Sequence, residues 1–128
     1  MIYLDTSVAL AHLLAQDHAP PETLWREPLI ASRLFEYELW SRVHSRGLSG
    51  SHGEETRALI GRVALIELAP QVLARALEPF PLRLRTLDTL HLSSLLFMRD
   101  RGLKIELASY DGRMLAAAHA LKIPVFAL

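Results

Sequence analysis

Short segments of this chain are apolar on consecutive residues rather than on alternate ones, and helical patterns stand between them. Ile2-Tyr3-Leu4 and Leu29-Ile30-Ala31-Ser32 are the clearest, and residues 105–109 depart from the pattern only at Glu106 and Ser109. A strand that is apolar on both faces has to be covered on both faces, as in parallel sheets enclosed by helices. That constraint predicts an α/β fold: a three-layer α/β/α sandwich with a central parallel sheet.

The breakers and caps between these segments set the order of elements. Asp5-Thr6-Ser7 are residue types that open helices, so the first strand passes directly into a helix running through Leu14. Pro20-Pro21-Glu22 opens a second, short helix that ends before Pro28, with proline and an acid where a first turn favours them. A helix over residues 33–46 stops at Gly47, and one over residues 51–65 pairs with it through Gly47-Leu48-Ser49-Gly50. Ile66-Glu67-Leu68 reads as a brief strand. Pro70 starts a helix through Leu77, which Pro79 and Pro81 close. The longest helix covers residues 86–101 and ends at Gly102. A strand at 105–109, a helix at 111–121 and a final strand at 124–127 complete the chain. No repeat, low-complexity tract or linker interrupts it, so one domain over residues 1–128 is expected.

Composition removes whole classes of function. The 128 residues include no cysteine, which excludes disulfides, zinc-thiolate sites and thiol nucleophiles. The opening residues lack a basic region and meet an acid at Asp5, unlike a signal peptide. The apolar run over residues 8–15 is broken by His12, and nothing approaches the roughly 18 apolar residues of a membrane span. A soluble, cytoplasmic protein is the expectation. Basic and acidic residues balance at 14 each. A passive nucleic-acid binder is usually clearly basic, but the balance does not argue against a nuclease, because acids gathered round a cation leave the remaining surface more positive. Arginine dominates the basic residues and suits bidentate phosphate recognition, although a GC-rich coding bias gives the same excess and carries more weight.

The acids stand at particular places. Asp5 and Asp111 each sit where a strand ends and a helix begins, the edge at which open α/β sheets bind ligands. Two carboxylates on one edge repel unless a raised pKa or a cation neutralises them. Each also has a purely local role available as a helix cap, and for Asp5 alone the two readings are evenly matched. Asp88 lies in the first turn of the 86–101 helix, where an acid favours the helix dipole by about 0.3–1 kcal/mol. Its neighbours are leucines, however, and a mostly buried acid needs a partner. His91, three residues on, shares its face and could be that partner or tie down the core. Glu36 and Glu38 both lie mid-helix among large apolar residues, and spacing does not choose between them.

A pocket of four acids has a definite chemistry. Oxygen ligands without imidazole or thiolate select Mg²⁺ or Mn²⁺ over zinc. Such an ion activates water and neutralises charge on a phosphodiester under attack, while a carboxylate not bound to it orients the water or takes its proton. Thr6, Ser7 and Ser109 are placed to bond water or carboxylate, with capping the favoured role for Thr6 and Ser7. The six histidines show no ligand spacing. Arg42, Arg46, Arg83 and Arg85 fall near the acids in sequence as phosphate contacts or simply as a solvated surface. Trp25 and Trp40 read as core or interface anchors rather than base-stacking platforms.

Four segments together resemble the PIN-domain family, and specifically the VapC-type toxins of toxin–antitoxin pairs. Met1-Ile2-Tyr3-Leu4-Asp5-Thr6-Ser7 is similar to the family's first motif, and Ser32-Arg33-Leu34 with Tyr37-Glu38-Leu39 resembles the second and selects Glu38 over Glu36. Leu84-Arg85-Thr86-Leu87-Asp88-Thr89-Leu90-His91-Leu92 is close to the third, and Ser109-Tyr110-Asp111-Gly112-Arg113-Met114-Leu115 to the fourth. Ser109 stands where threonine is frequent and Thr89 where alanine is frequent; serine keeps the hydroxyl, and Thr89 adds modest bulk. The resemblance implies catalytic and metal-binding roles for Asp5, Glu38, Asp88 and Asp111, supported by Thr6 and Ser109. It also implies a Mg²⁺- or Mn²⁺-dependent endoribonuclease acting on RNA, a homodimer, and inhibition by a VapB-like antitoxin.

Three rival readings fit less well. A phospho-acceptor receiver domain wants an adjacent acidic pair and a lysine late in the sheet, but Leu4 precedes Asp5, and Lys104 and Lys122 merely flank strands. A haloacid-dehalogenase-type phosphatase wants a second aspartate where Ser7 stands. A binding scaffold of the same fold would have lost one of the acids, and all four are present.

Overall fold

The computed structural model describes residues 1–14 and 19–128. Its strands are β1 (Ile2–Leu4), β2 (Leu29–Ser32), β3 (Val63–Ile66) and β4 (Glu106–Ala108). They form one sheet in the order β3-β2-β1-β4, and every pairing is parallel. The registers Ile2↔Leu29, Leu29↔Val63 and Leu4↔Ala108 align the carboxyl ends along one edge. The helices are α1 (Thr6–Leu13), a 3₁₀ turn at Glu22–Arg26, α2 (Leu34–Ser45), α3 (Ser49–Gly61), α4 (Pro70–Ala76), α5 (Thr86–Asp100) and α6 (Gly112–Ala120).

Alternation of side chains across the strands divides the core in two. Ile2, Leu4, Leu29, Ala31 and Val63 point to one face and meet Val8 and Leu13 of α1, Phe35 and Leu39 of α2 and Leu59 of α3. Tyr3, Ile30 and Leu107 point to the other and meet Leu92 and Leu95 of α5 with Met114 and Ala118 of α6. The expected α/β/α sandwich is therefore the observed one. Burial at consecutive strand positions, complete in β1 and β2, is the reason the sequence shows apolar runs there.

Several boundaries differ from expectation. The third strand begins at Val63 rather than Ile66, and α3 stops at Gly61 rather than running through Leu65. Pairing of residues 63–66 with β2 outweighs a local pattern that served a helix equally well. The final strand at 124–127 reduces to one bridge, Leu107↔Val125. Pro124 contributes only its carbonyl there, accepting from Leu107 N at 2.9 Å, because proline has no N–H to extend a ladder. The helix opened by Pro20-Pro21-Glu22 is the short 3₁₀ turn, and Ala15, the end of the first apolar run, lies outside the described residues. Gly47 and Gly102 do end α2 and α5, with φ of 67° and 90° in the left-handed region that glycine adopts at least cost. No helix among the described residues is long and apolar enough to cross a membrane.

Candidate active site

From β1 the chain moves to β2 and β3 on one side, then returns to place β4 on the other. The strand order thus reverses between β1 and β4, and a crevice forms beyond their carboxyl ends. Asp5 N donates to Ala108 O at 3.0 Å and closes the seam between the two strands. A cleft of about 560 Å³ opens above it, and Asp5, Glu38, Asp88 and Asp111 all line it. Residues separated by up to 106 positions in sequence meet in this one place.

Asp5 occupies the N-cap position of α1 with extended backbone angles, yet its side chain bonds no helix amide. Its Oδ2 instead accepts from Ser7 Oγ at 2.6 Å and from Ser109 Oγ at 2.7 Å. Those two hydroxyls accept in turn from the backbone, Ser7 from Tyr110 N at 3.0 Å and Ser109 from Asp111 N at 2.9 Å. Each serine proton is therefore directed at Asp5, and one carboxylate oxygen is held while Oδ1 stays available. Asp111 does cap its helix: Oδ1 accepts from Arg113 N at 2.9 Å. Its second oxygen has no such engagement.

Glu38 extends from α2 into the cleft, and Glu36 does not line it. Glu36 is instead partly exposed, 3.6 Å from Arg33. Glu38 Oε1 accepts from Thr6 Oγ1 at 3.3 Å and is in close contact with His91 Nε2. The expectation that Thr6 and Ser7 act as caps is corrected here, because both hydroxyls donate to carboxylates of the cleft. Of the two roles expected for His91, partner of Asp88 or tie to the core, the structure shows the second. In an α-helix the pair shares a face, but His91 is turned inward by Tyr3, whose hydroxyl lies 2.7 Å from Nδ1.

Asp88 consequently keeps an unmet demand. Its Oδ2 is shut off from solvent and has no hydrogen-bond partner. Burial raises its pKa, and the charges of Asp111 and Asp5 raise it further, against weaker pulls from His91 and Arg85. An acid destabilised in its charged form by two other acids calls for a positive charge.

Among the described residues, no three His, Cys, Asp or Glu side chains are already gathered into a set that could hold a metal ion. Repulsion between unneutralised carboxylates favours such an open arrangement. The donor chemistry nevertheless fits a hard divalent cation. Asp5, Glu38 and Asp111 each commit one oxygen to the protein and leave the other available, and Asp88 offers an oxygen that nothing else satisfies. Anchoring of this kind orients ligands before an ion arrives.

Arg42 and Arg85 line the cleft, from α2 and from the N-cap of α5, whereas Arg46 and Arg83 do not. Tyr37, which is 63% exposed, stands at the same cleft. Trp25 and Trp40 are half-buried against arginines, with Arg62 at 5.5 Å and Arg57 at 5.4 Å from their ring centroids, and neither lines the cleft. Tyr3 escaped the reading of the sequence. The signal was present, since a tyrosine in a fully buried strand must find a partner for its hydroxyl.

A family model described as PIN domain matches residues 2–120 of the chain. No curated protein and no solved structure matches it.

Proposed function

The chain belongs to the PIN domain family, and from that premise we propose that it is a Mg²⁺- or Mn²⁺-dependent endoribonuclease of the toxin type, hydrolysing RNA phosphodiester bonds. PIN domains are generally metal-dependent nucleases. The observation that carries the reading is the convergence of Asp5, Glu38, Asp88 and Asp111 on one cleft at the strand-order reversal. Three of these carboxylates are braced through a single oxygen, and the fourth is unpartnered.

Asp5, Glu38, Asp88 and Asp111 are the residues that would hold the ion. When bound, it supplies a lowered pKa for water and charge neutralisation at the scissile phosphate. The protein's own contribution is positional. Ser7 and Ser109 aim Asp5, while His91 and Thr6 aim Glu38. The acid left outside the ion's contacts orients the attacking water and accepts its proton. Arg42 and Arg85 are assigned to the RNA backbone, and Tyr37 to an unstacked base, the usual mode of single-strand recognition.

The remaining parts of the proposal extend from the family resemblance. The chain acts as one domain over residues 1–128, in the cytoplasm, and is neutralised by a VapB-like antitoxin. A homodimer is included, and an apolar groove of about 440 Å³ between α4 and α5 supports it, with Leu77 88% exposed at its rim. Such a surface favours burial against another chain.

Purified, antitoxin-free protein incubated with single-stranded RNA should cleave it in Mn²⁺ and stop on addition of EDTA. Cleavage that persists in EDTA, or inactivity in Mn²⁺ on every RNA tried, would defeat the proposal. Parallel reactions on single-stranded DNA test the choice of RNA.

A further inference from the structure

Glu38 is supported by a relay that reaches deep into the core. Ser32 N donates to Tyr3 Oη at 3.0 Å, Tyr3 Oη lies 2.7 Å from His91 Nδ1, and His91 Nε2 contacts Glu38 Oε1. Tyr3 is fully buried and His91 is 2% exposed, so water does not replace the contact between them, while Glu38 itself reaches the cleft. The chain links β2, β1, α5 and α2 in that order.

Each atom in the chain has its proton assigned by the hydrogen-bond network. The Ser32 amide is a donor only, so the Tyr3 oxygen accepts from it. The tyrosine proton then points to His91 Nδ1, which accepts. Ser94 also stands beside Tyr3 and, with its own proton engaged on Leu90 O at 2.9 Å, is a competing acceptor, but the 2.7 Å contact of the tyrosine oxygen is to Nδ1. At the far end a carboxylate only accepts, so Nε2 carries the imidazole proton. Both ends of the ring require the same state.

We propose that the Ser32–Tyr3–His91 relay fixes His91 as the neutral Nε2–H tautomer and makes it the positioning residue for Glu38. His91 and Thr6 both occupy Oε1, which turns Oε2 toward the cleft as the oxygen offered to a divalent cation. The role deepens the nuclease reading and rests on it, while the tautomer rests on the fold alone. Tyr3, fully buried, acts only through His91, and His91 acts through Glu38. They set the direction of a ligand, as outer partners of metal-binding side chains do.

The tautomer is read by ¹H–¹⁵N correlation of the imidazole nitrogens in the metal-free wild-type protein. His91 should show an unprotonated Nδ1 and a protonated Nε2 at neutral pH. A protonated Nδ1, with or without Nε2–H, overturns the relay. Tyr3→Phe removes the donor to Nδ1 and should shift His91 away from that single tautomer.

Mn²⁺ affinity by calorimetry tests the positioning. His91→Leu should weaken binding about tenfold to a hundredfold. His91→Gln, whose amide can still donate to Glu38, should recover most of the loss. A folded His91→Leu that binds Mn²⁺ like wild type overturns the proposal. If His91→Leu does not fold, the wild-type tautomer and the Tyr3→Phe affinity, expected to fall several-fold, decide it. Failure of the wild-type protein to bind Mn²⁺ would instead sink the metal-dependent nuclease reading, leaving the tautomer to be judged on the metal-free spectra.

Discussion

Ser109 donates to Asp5 across the seam between β4 and β1, with Oγ and Oδ2 2.7 Å apart and 104 positions between the two residues. The same oxygen accepts Asp111 N at 2.9 Å, so one serine couples the two acids that stand at the strand ends. Asp5→Asn should reduce RNA cleavage by at least about a hundredfold, the scale on which a positioned proton-transfer or metal-ligand group contributes. The fold should survive unchanged or slightly stabilised, since one of several mutually repelling charges disappears. Cleavage assays paired with thermal melts check both halves. Full activity in Asp5→Asn would show the site to be misplaced.

Glu36 and Glu38 separate cleanly by substitution. Glu38→Gln should remove cleavage and lower Mn²⁺ affinity about tenfold or more. Glu36→Gln should leave both within twofold, because its partner is the exposed Arg33, 3.6 Å away, and exposed pairs are worth at most about 1 kcal/mol. Equal losses in the two variants would contradict the orientation of α2.

Asp88 makes a pH-dependent prediction for the metal-free protein. Its pKa in the fold is raised by burial and by Asp111 and Asp5. A carboxyl with a raised folded pKa favours folding in its protonated form, so its contribution is complete below the ordinary value of 3.8 and is lost as pH climbs through the folded value. Asp88→Asn should therefore raise the melting temperature at pH 7 and do so less as the pH approaches 3.8. Mn²⁺ reverses the balance: at a hundred times its Kd it should stabilise wild type by about 2.7 kcal/mol, and far less in the variant. Melting curves over pH, with and without Mn²⁺, measure both effects.

The arginines at the cleft can be tested by salt dependence. For single-stranded RNA, each phosphate neutralised contributes about 0.7 to the slope of log affinity against log salt. Arg42→Ala and Arg85→Ala should each lower that slope by about this amount when binding is measured in EDTA, whereas Arg46→Ala should not. Tyr37→Ala should weaken binding by about 1–3 kcal/mol without changing the slope, with Tyr37→Phe largely preserved. A slope change on Tyr37→Ala would assign it to the backbone instead of a base.

Much of the molecule was legible along the chain because its determinants are local. Ile2-Tyr3-Leu4 and Leu29-Ile30-Ala31-Ser32 carry the signature of strands covered twice, Gly47 and Gly102 supply the left-handed residues that end two helices, and Pro70 opens another. Asp5 and Asp111 were visible as strand-end acids for the same reason. Residues 63–65 were misread as helix because pairing with β2, a contact across more than thirty positions, decided between strand and helix.

Only the tertiary structure assigned the partners. Locally, Asp5, Thr6 and Ser7 are all good caps, and His91 lies one helical turn from Asp88. The β1–β4 seam brings Ser109 to Asp5 and frees it from capping, and the packing of Tyr3 under α5 turns His91 from Asp88 to Glu38. The sequence by itself determined the sandwich and which acids stand at its ligand-binding edge, since hydrophobic patterning and helix ends are read residue by residue. Which oxygen of each acid is held, which stays free, and why Asp88 is left unpaired were settled by contacts between segments far apart in the chain.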